Sequence, residues 1–183
     1  ENGGTDSSTS GLGDGSYTVV VSDINNCSST ATVSLTSPDA LSLTTNIDNA
    51  PTCDGASDGE ASVSAIGGTT PYSYLWENGG TDSSTSGLGD GSYTVVVSDA
   101  NNCSSTATVS LTSPDALSLT TNIVSAPTCD GASDGEASVS AIGGTSPYSY
   151  LWENGGTDSS TSGLGDGSYT VVVSDANNCS STA

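Results

Sequence analysis

Residues 1–107 reappear almost unchanged as residues 77–183, so the chain is periodic: what stands at position n stands again at n + 76. The run ENGGTDSSTSGLGDGSYTVVVSD begins at Glu1, again at Glu77 and again at Glu153. Only four positions differ between the overlaid stretches: Ile24 against Ala100, Asp48 against Val124, Asn49 against Ser125, and Thr70 against Ser146. A period of this size marks an array of like units, each touching mainly its neighbours. Near-identity implies recent duplication and a task of length or multivalency, because an active site needs one good copy rather than many.

Within each unit the apolar residues alternate with Ser and Thr in short runs, which is the pattern of half-buried strands. In the middle copy, strands are predicted over 41–47 (LSLTTNI), 60–66 (EASVSAI), 72–78 (YSYLWEN), 92–99 (SYTVVVSD) and 105–112 (STATVSLT), with a short segment over 82–88 (DSSTSGL). Alternation points Ala61, Val63 and Ala65 inward, sets Tyr72, Tyr74 and Trp76 on one face of their strand, and groups Tyr93, Val95 and Val97, then Ala107, Val109 and Leu111, in the same way. Short strands separated by Gly, Asp and Asn clusters, with no helical period, predict an all-β antiparallel sandwich. Trp76 in mid-sandwich and the run Leu88-Gly-Asp-Gly-Ser-Tyr93 make it immunoglobulin-like, the run resembling a tyrosine corner. These aromatics read as core packing rather than as a ligand platform.

Ser37-Pro38-Asp39 and Ser113-Pro114-Asp115 interrupt the strand pattern and set the domain phase. Residues 39–114 form a complete domain, 1–38 the C-terminal part of another, and 115–183 a domain that stops within its last strand. The expectation is a window on a longer, extended array.

The chain has no Lys, Arg or His against 21 Asp and Glu, a net charge of −21. Such a surface repels nucleic acid and anionic membranes, whose binding needs cations to meet phosphates. Acidity with modest hydrophobicity also suits disorder, but the ordered alternation argues for folded strands. No apolar run is long enough to span a bilayer, so direct membrane insertion is not expected, and residue 1 does not open a signal peptide. Dissolved cations, calcium or high salt, are the counter-charges, which points outside the cell.

The stretch GGTTPYSYLWENGGTDSSTSGLGDGSYTVVVSDANNC resembles the SprB repeat, known from gliding-motility adhesins on the surface of Bacteroidetes and related in style to PKD-type modules. It covers the central half of each unit. The resemblance implies a cell-surface adhesin exported by the type IX secretion route.

Five cysteines stand at 27, 53, 103, 129 and 179. Two regular cysteines per unit in a His-free extracellular chain read as disulfides rather than a zinc site. Pairing Cys53 with Cys103 and Cys129 with Cys179 inside domains is the obvious choice. In an immunoglobulin-like sandwich, however, those loops lie at opposite ends, roughly 20 Å apart, and a disulfide needs Cα atoms within about 7 Å. In a head-to-tail array the first loop of one domain faces the final hairpin of the next, so Cys53 would meet Cys179, leaving Cys27, Cys103 and Cys129 for repeats outside this stretch. Both pairings stay open at this point, with the inter-domain one favoured.

The same loops are acidic: Asp54, Asp58 and Glu60 in one, Asp175, Asn177 and Asn178 in the other. Their oxygens could hold calcium at the domain junction, although Asp and Asn also build turns without any metal, and the spacing matches neither an EF-hand nor a calcium-binding nonapeptide. Ser-based catalysis lacks a His or Lys base, and GLGDG leads into a strand, not a helix, so it is no phosphate loop. No enzyme is expected. The leading function is the stalk or filament region of a surface adhesin for attachment or gliding, its partners being neighbouring repeats and, as outer ligand, surface polysaccharide or an abiotic surface. The alternatives are a structural filament or sheath that self-associates, and an accessory carbohydrate-binding module of a secreted enzyme. Near-identical repeats weigh against the last.

Overall fold

The computed structural model describes residues 5–183; residues 1–4, with the start of the repeat at Glu1 and of the partial domain 1–38, lie outside the described residues. The chain opens with a hairpin of β1 (Gly15–Ser22) and β2 (Ser28–Leu35), paired antiparallel along their full length. Six strands then build a complete domain: β3 (Ser42–Asn49), β4 (Gly59–Ile66), β5 (Ser73–Trp76), β6 (Ser84–Leu88), β7 (Gly91–Ser98) and β8 (Ser104–Leu111). They form two three-stranded sheets, ordered β3-β4-β6 and β5-β7-β8. Repetition of the sequence repeats the design: β9 (Ser118–Ser125), β10 (Gly135–Ile142) and β12 (Ser160–Leu164) form one sheet, and β11 (Ser149–Trp152), β13 (Val171–Ser174) and β14 (Ser180–Thr182) the other.

This is the expected all-β, immunoglobulin-like sandwich, and the alternation explains it residue by residue. Ala61 and Val63 of β4, Trp76 of β5, Leu88 of β6, Val95 and Val97 of β7, and Val109 and Leu111 of β8 make one buried cluster between the sheets. Leu43, Ala65, Tyr72, Tyr74, Tyr93 and Ala107 pack against its margin. The intervening residues face water and pair across the strands through their hydroxyls, as Ser92 Oγ does with Ser110 Oγ at 2.7 Å and Thr94 Oγ1 with Thr108 Oγ1 at 3.4 Å.

The turns are equally legible. Tyr93 Oη accepts from Gly89 N at 3.0 Å, four residues upstream, so the Leu88-to-Tyr93 run is a tyrosine corner. Trp76 turns its indole N–H onto Asp82 O at 2.9 Å, which anchors the passage from β5 to β6. β5 is shorter than the expected 72–78 because the chain already turns there, with Trp76 N donating to Gly80 O and Gly79 N to Trp76 O. Tyr72 Oη donates to Gly67 O at 2.5 Å, a second tyrosine clasp.

β3 lies alongside β8, with Thr45 Oγ1 donating to Thr108 O at 3.4 Å. Both strands run toward the same end of the domain, where a side chain at Gly59 would collide with Leu111 and Leu88 O and press on Pro51. The following linker is tied back at that end by Ser113 N donating to Asp90 Oδ1 at 3.3 Å. In the last domain β13 begins at Val171, whereas β7 begins at Gly91. A groove of about 450 Å³ beside Ala183 is lined by Ile123, Trp152, Leu164 and Tyr169.

Leu88 is 1 % exposed and Leu75, on the outer face of β5, 57 %. Leu88→Ala should therefore lower the unfolding free energy of its own domain by about 2–5 kcal/mol, and Leu75→Ala by less than about 0.5 kcal/mol. Urea unfolding of the reduced chain checks this; equal effects of the two variants would refute the assignment of faces.

Candidate functional site: the junction between domains

The contact that joins the two sandwiches is covalent. Cys53, in the loop between β3 and β4, is disulfide-bonded to Cys179, at the hairpin between β13 and β14; their Cα atoms are 5.8 Å apart and 126 residues separate them in sequence. The alternative pairs inside domains do not form: Cys103 and Cys129 are exposed thiols, as is Cys27. The physical reason is the direction of the strands. β3 carries the chain to one end of its domain, and the β7–β8 hairpin that presents Cys103 sits at the other, beside Thr69. Cys179 occupies the same hairpin position one domain later, so the far end of the first domain meets the near end of the second.

Each cysteine rides on a loop held by an aspartate. Before Cys53, Thr52 donates its N–H to Asp58 Oδ1 at 3.0 Å and its hydroxyl to Asp58 Oδ2 at 2.6 Å. Around Cys179, one oxygen of Asp175 accepts the N–H of Asn177 and that of Cys179, both at 2.9 Å, and the other accepts Thr145 N at 2.7 Å. Asn178 takes the left-handed conformation, φ 66°, that closes this tight hairpin, a conformation Asn tolerates better than most residues. Asn177 then reaches across the junction and donates its Nδ2–H to Thr52 O at 2.9 Å. Between the domains lies an open cleft of about 350 Å³, lined by Cys53, Asp54, Pro114, Asp115, Leu117 and Cys179.

These placements show what the candidate calcium ligands do. Asp58, Asp175 and Asn177 serve the loops that carry the disulfide. Asp54 lines the cleft, Glu60 accepts from Asn49 Nδ2 at 3.1 Å, and Asn178 shapes the hairpin. Among the described residues no group of three or more His, Cys, Asp or Glu stands where it could hold a metal ion. The residues that sequence reasoning missed are Thr52 and Thr145, whose N–H groups meet the two aspartates. For Thr52 a signal was present as a Thr six residues before an Asp, repeated as Thr128 and Asp134, which make the same two bonds, whereas Thr145 stands 30 residues before Asp175 and has no such local mark.

The aspartates are electrostatically tuned by these bonds. Hydrogen bonds from the Thr52 hydroxyl and N–H hold Asp58 below the ordinary aspartate value, and Thr128 does the same to Asp134. The N–H of Thr69 lowers Asp99, helped by those of Cys103 and Asn101 against the cost of burial. For Asp175 burial pushes upward most, yet the N–H groups of Thr145, Cys179 and Asn177 together outweigh it and the value is lowered.

Comparison with known proteins agrees with the repeat. The model of the SprB repeat family matches residues 44–81 and 121–157, one stretch in each sandwich. No curated protein matches the chain. Among solved structures, the chain resembles the C-terminal 282-residue fragment of intimin in complex with the translocated intimin receptor, at 14 % identity and TM-score 0.39, over 78 % of this chain and 62 % of that fragment. It also resembles the fibronectin(III)-like modules of Clostridium thermocellum CbhA, at 13 % identity and TM-score 0.30, over 75 % of this chain and 89 % of those modules. The chain thus spans less than two thirds of the intimin fragment.

An aspartate whose folded value lies below its unfolded one, near 3.8, favours folding at every pH above that unfolded value, and the contribution is lost as pH falls through the lowered folded value. In high salt, which mutes the general charge repulsion, the melting temperature should be level from about pH 7 to 5 and fall below about pH 4. Asp99→Asn and Asp175→Asn should flatten that fall. A melting temperature that climbs steadily with acid would show that these bonds do not control the acid limb.

Proposed function

We propose that the chain is part of the stalk of an extracellular, cell-surface adhesin, with no catalytic task of its own, in which SprB-type repeats hold a distal sticky region away from the cell. The observation that carries this reading is the disulfide between successive domains. A tandem array joined only by flexible linkers is free to bend at every junction. A covalent bond plus the Asn177–Thr52 hydrogen bond at the junction fix one domain on the next, so the array keeps its length and direction. Stable disulfides belong to oxidising compartments outside the cytosol, which agrees with the surface location that SprB repeats suggest.

Attachment to surfaces, or gliding over them, is the task this reading assigns, with export by the type IX route as the SprB resemblance implies. The net charge of −21 then keeps neighbouring stalks apart and soluble. Calcium enters as a dissolved counter-ion that screens these carboxylates.

The test uses cells that make the full-length protein. Antibody to the repeat should label them without permeabilisation. A Glu-specific protease applied outside should remove the label and the cells' attachment together, while trypsin, which finds no Lys or Arg in the repeat, should leave the repeat itself uncut. Label that appears only after permeabilisation would exclude a surface stalk. Loss of label with attachment unchanged would leave a structural filament as the better reading.

A further inference from the structure

The disulfide shortens the covalent route along the array. From Cys27 the backbone runs through β2, the linker of residues 36–41 and β3 to Cys53. There the bond crosses to Cys179, which stands at the start of β14 in the next domain, the counterpart of Cys27 at the start of β2. The short stretch 27–53 and one disulfide therefore carry a continuous covalent path past two repeats. The ordinary backbone route to Cys179 has to pass in addition through everything between Cys53 and Cys179, 126 residues in sequence.

Much of the short path is also already extended. Most of it is the two strands β2 and β3 of 8 residues each. A strand already rises about 3.3 Å per residue, close to the limit of roughly 3.3–3.6 Å for a stretched chain. Strand direction carries the path from one end of each domain to the other. β8, the counterpart of β2, runs to the end of its domain where Gly59 meets Leu111 and Pro51. β9, the counterpart of β3, starts next to the junction, where Gly144 meets Asp175. All the slack resides in segments 36–41 and 50–53, outside the strands, whose combined full length is about 35 Å.

We propose that tension on the stalk is borne by this rail of β2, linker, β3 and disulfide, and that the loop from Cys53 to Cys179, with strands β4 to β13, is shielded from extension. This inference rests on the stalk reading for its purpose but not for its geometry. In a longer array of this repeat the same bond, from each cysteine equivalent to Cys53 to its equivalent partner one domain on, would use Cys27, Cys103 and Cys129 as well. Each such bond forms by two-electron oxidation of two thiols, the electrons and protons passing to a disulfide-exchanging oxidant of the compartment. The result is two interleaved rails, the second running through β8, the following linker and β9 from Cys103 to Cys129, and each crossing successive junctions alternately by linker and by disulfide.

The experiment is single-molecule pulling of the full chain from handles on its two termini. After oxidation in a disulfide-exchange buffer, the extensible chain is segments 1–53 and 179–183. Extension should then stop at about 200 Å. A phosphine reductant should free the loop and add about 440 Å, and Cys179→Ser should show that long extension without reductant. Cys129→Ser, which leaves the bond in place, should behave as the parent. Oxidised molecules that stretch well past the shorter limit, or that keep Cys53 and Cys179 as thiols in a peptide map, would overturn the rail. Such a failure would leave surface labelling of cells untouched, whereas loss of surface labelling would remove the stalk and leave the pulling result standing.

Discussion

A chain without one basic side chain has to satisfy its carboxylates with N–H and O–H donors, and the structure follows from how it does so. Asp99 and Asp175, 6 % and 5 % exposed, sit at the near end of their domains, where a buried charge would be costly if unpaired. Each instead gathers three backbone N–H groups. Charge-assisted bonds of this kind are stronger than neutral ones, and here they bind the β7–β8 or β13–β14 hairpin to the neighbouring turn at Thr69 or Thr145. Among the described residues no buried side-chain nitrogen or oxygen lacks a partner. The hairpin that carries a cysteine is thus bonded to its own domain independently of the disulfide, and the glycine facing each aspartate, Gly68 or Gly144, leaves just enough room for it: a Cβ there would lie 2.9 or 2.8 Å from the carboxylate oxygen.

Most of the fold was legible because burial and alternation speak of one thing at each position. Val95 and Val97 are fully buried, and Val96 between them is not. Strand ends were less legible, since they depend on turns: β5 stops at Trp76 where the expected strand continued to 78, because the bonds among Trp76, Gly79 and Gly80 close a turn that the aromatic pattern does not reveal. Tyr72 was read as one of a row of core aromatics, and its hydroxyl bond to Gly67 O depends on a glycine turn with φ of 77° and 61° that composition alone does not position.

The junction was readable through topology rather than through motifs. Strand direction separates Cys53 from Cys103 in space, and this favoured pairing Cys53 with Cys179, the bond present in the structure, while residue spacing by itself favoured the pair inside the domain. The acidic loops read two ways for a chemical reason. Asp, Asn and Gly are the residues of calcium loops and of hydrogen-bonded turns alike, and the difference lies in where their oxygens point. Asp58 aims both oxygens at Thr52, and Asp175 aims both at backbone N–H groups, a distinction that residue types alone do not contain.

Identical repeats pose a problem of selection, because every cysteine equivalent to Cys179 offers Cys53 the same chemistry and the same local sequence. Nothing in the residues around a thiol can tell a partner in the next domain from one further along, or from one in its own domain. Discrimination has to come from distance in the folded array, where only one candidate brings its Cα to 5.8 Å. Asn177 adds a directional check, since its amide reaches Thr52 O only when the two domains are already stacked. The demand that each folded unit present both thiols to its neighbours at the right separation bears on every repeat equally. That gives a physical reason for an array in which 1–107 and 77–183 differ at so few positions, of which Ile24/Ala100 and Thr70/Ser146 fall in turns and Asp48/Val124 and Asn49/Ser125 at the exposed end of a strand.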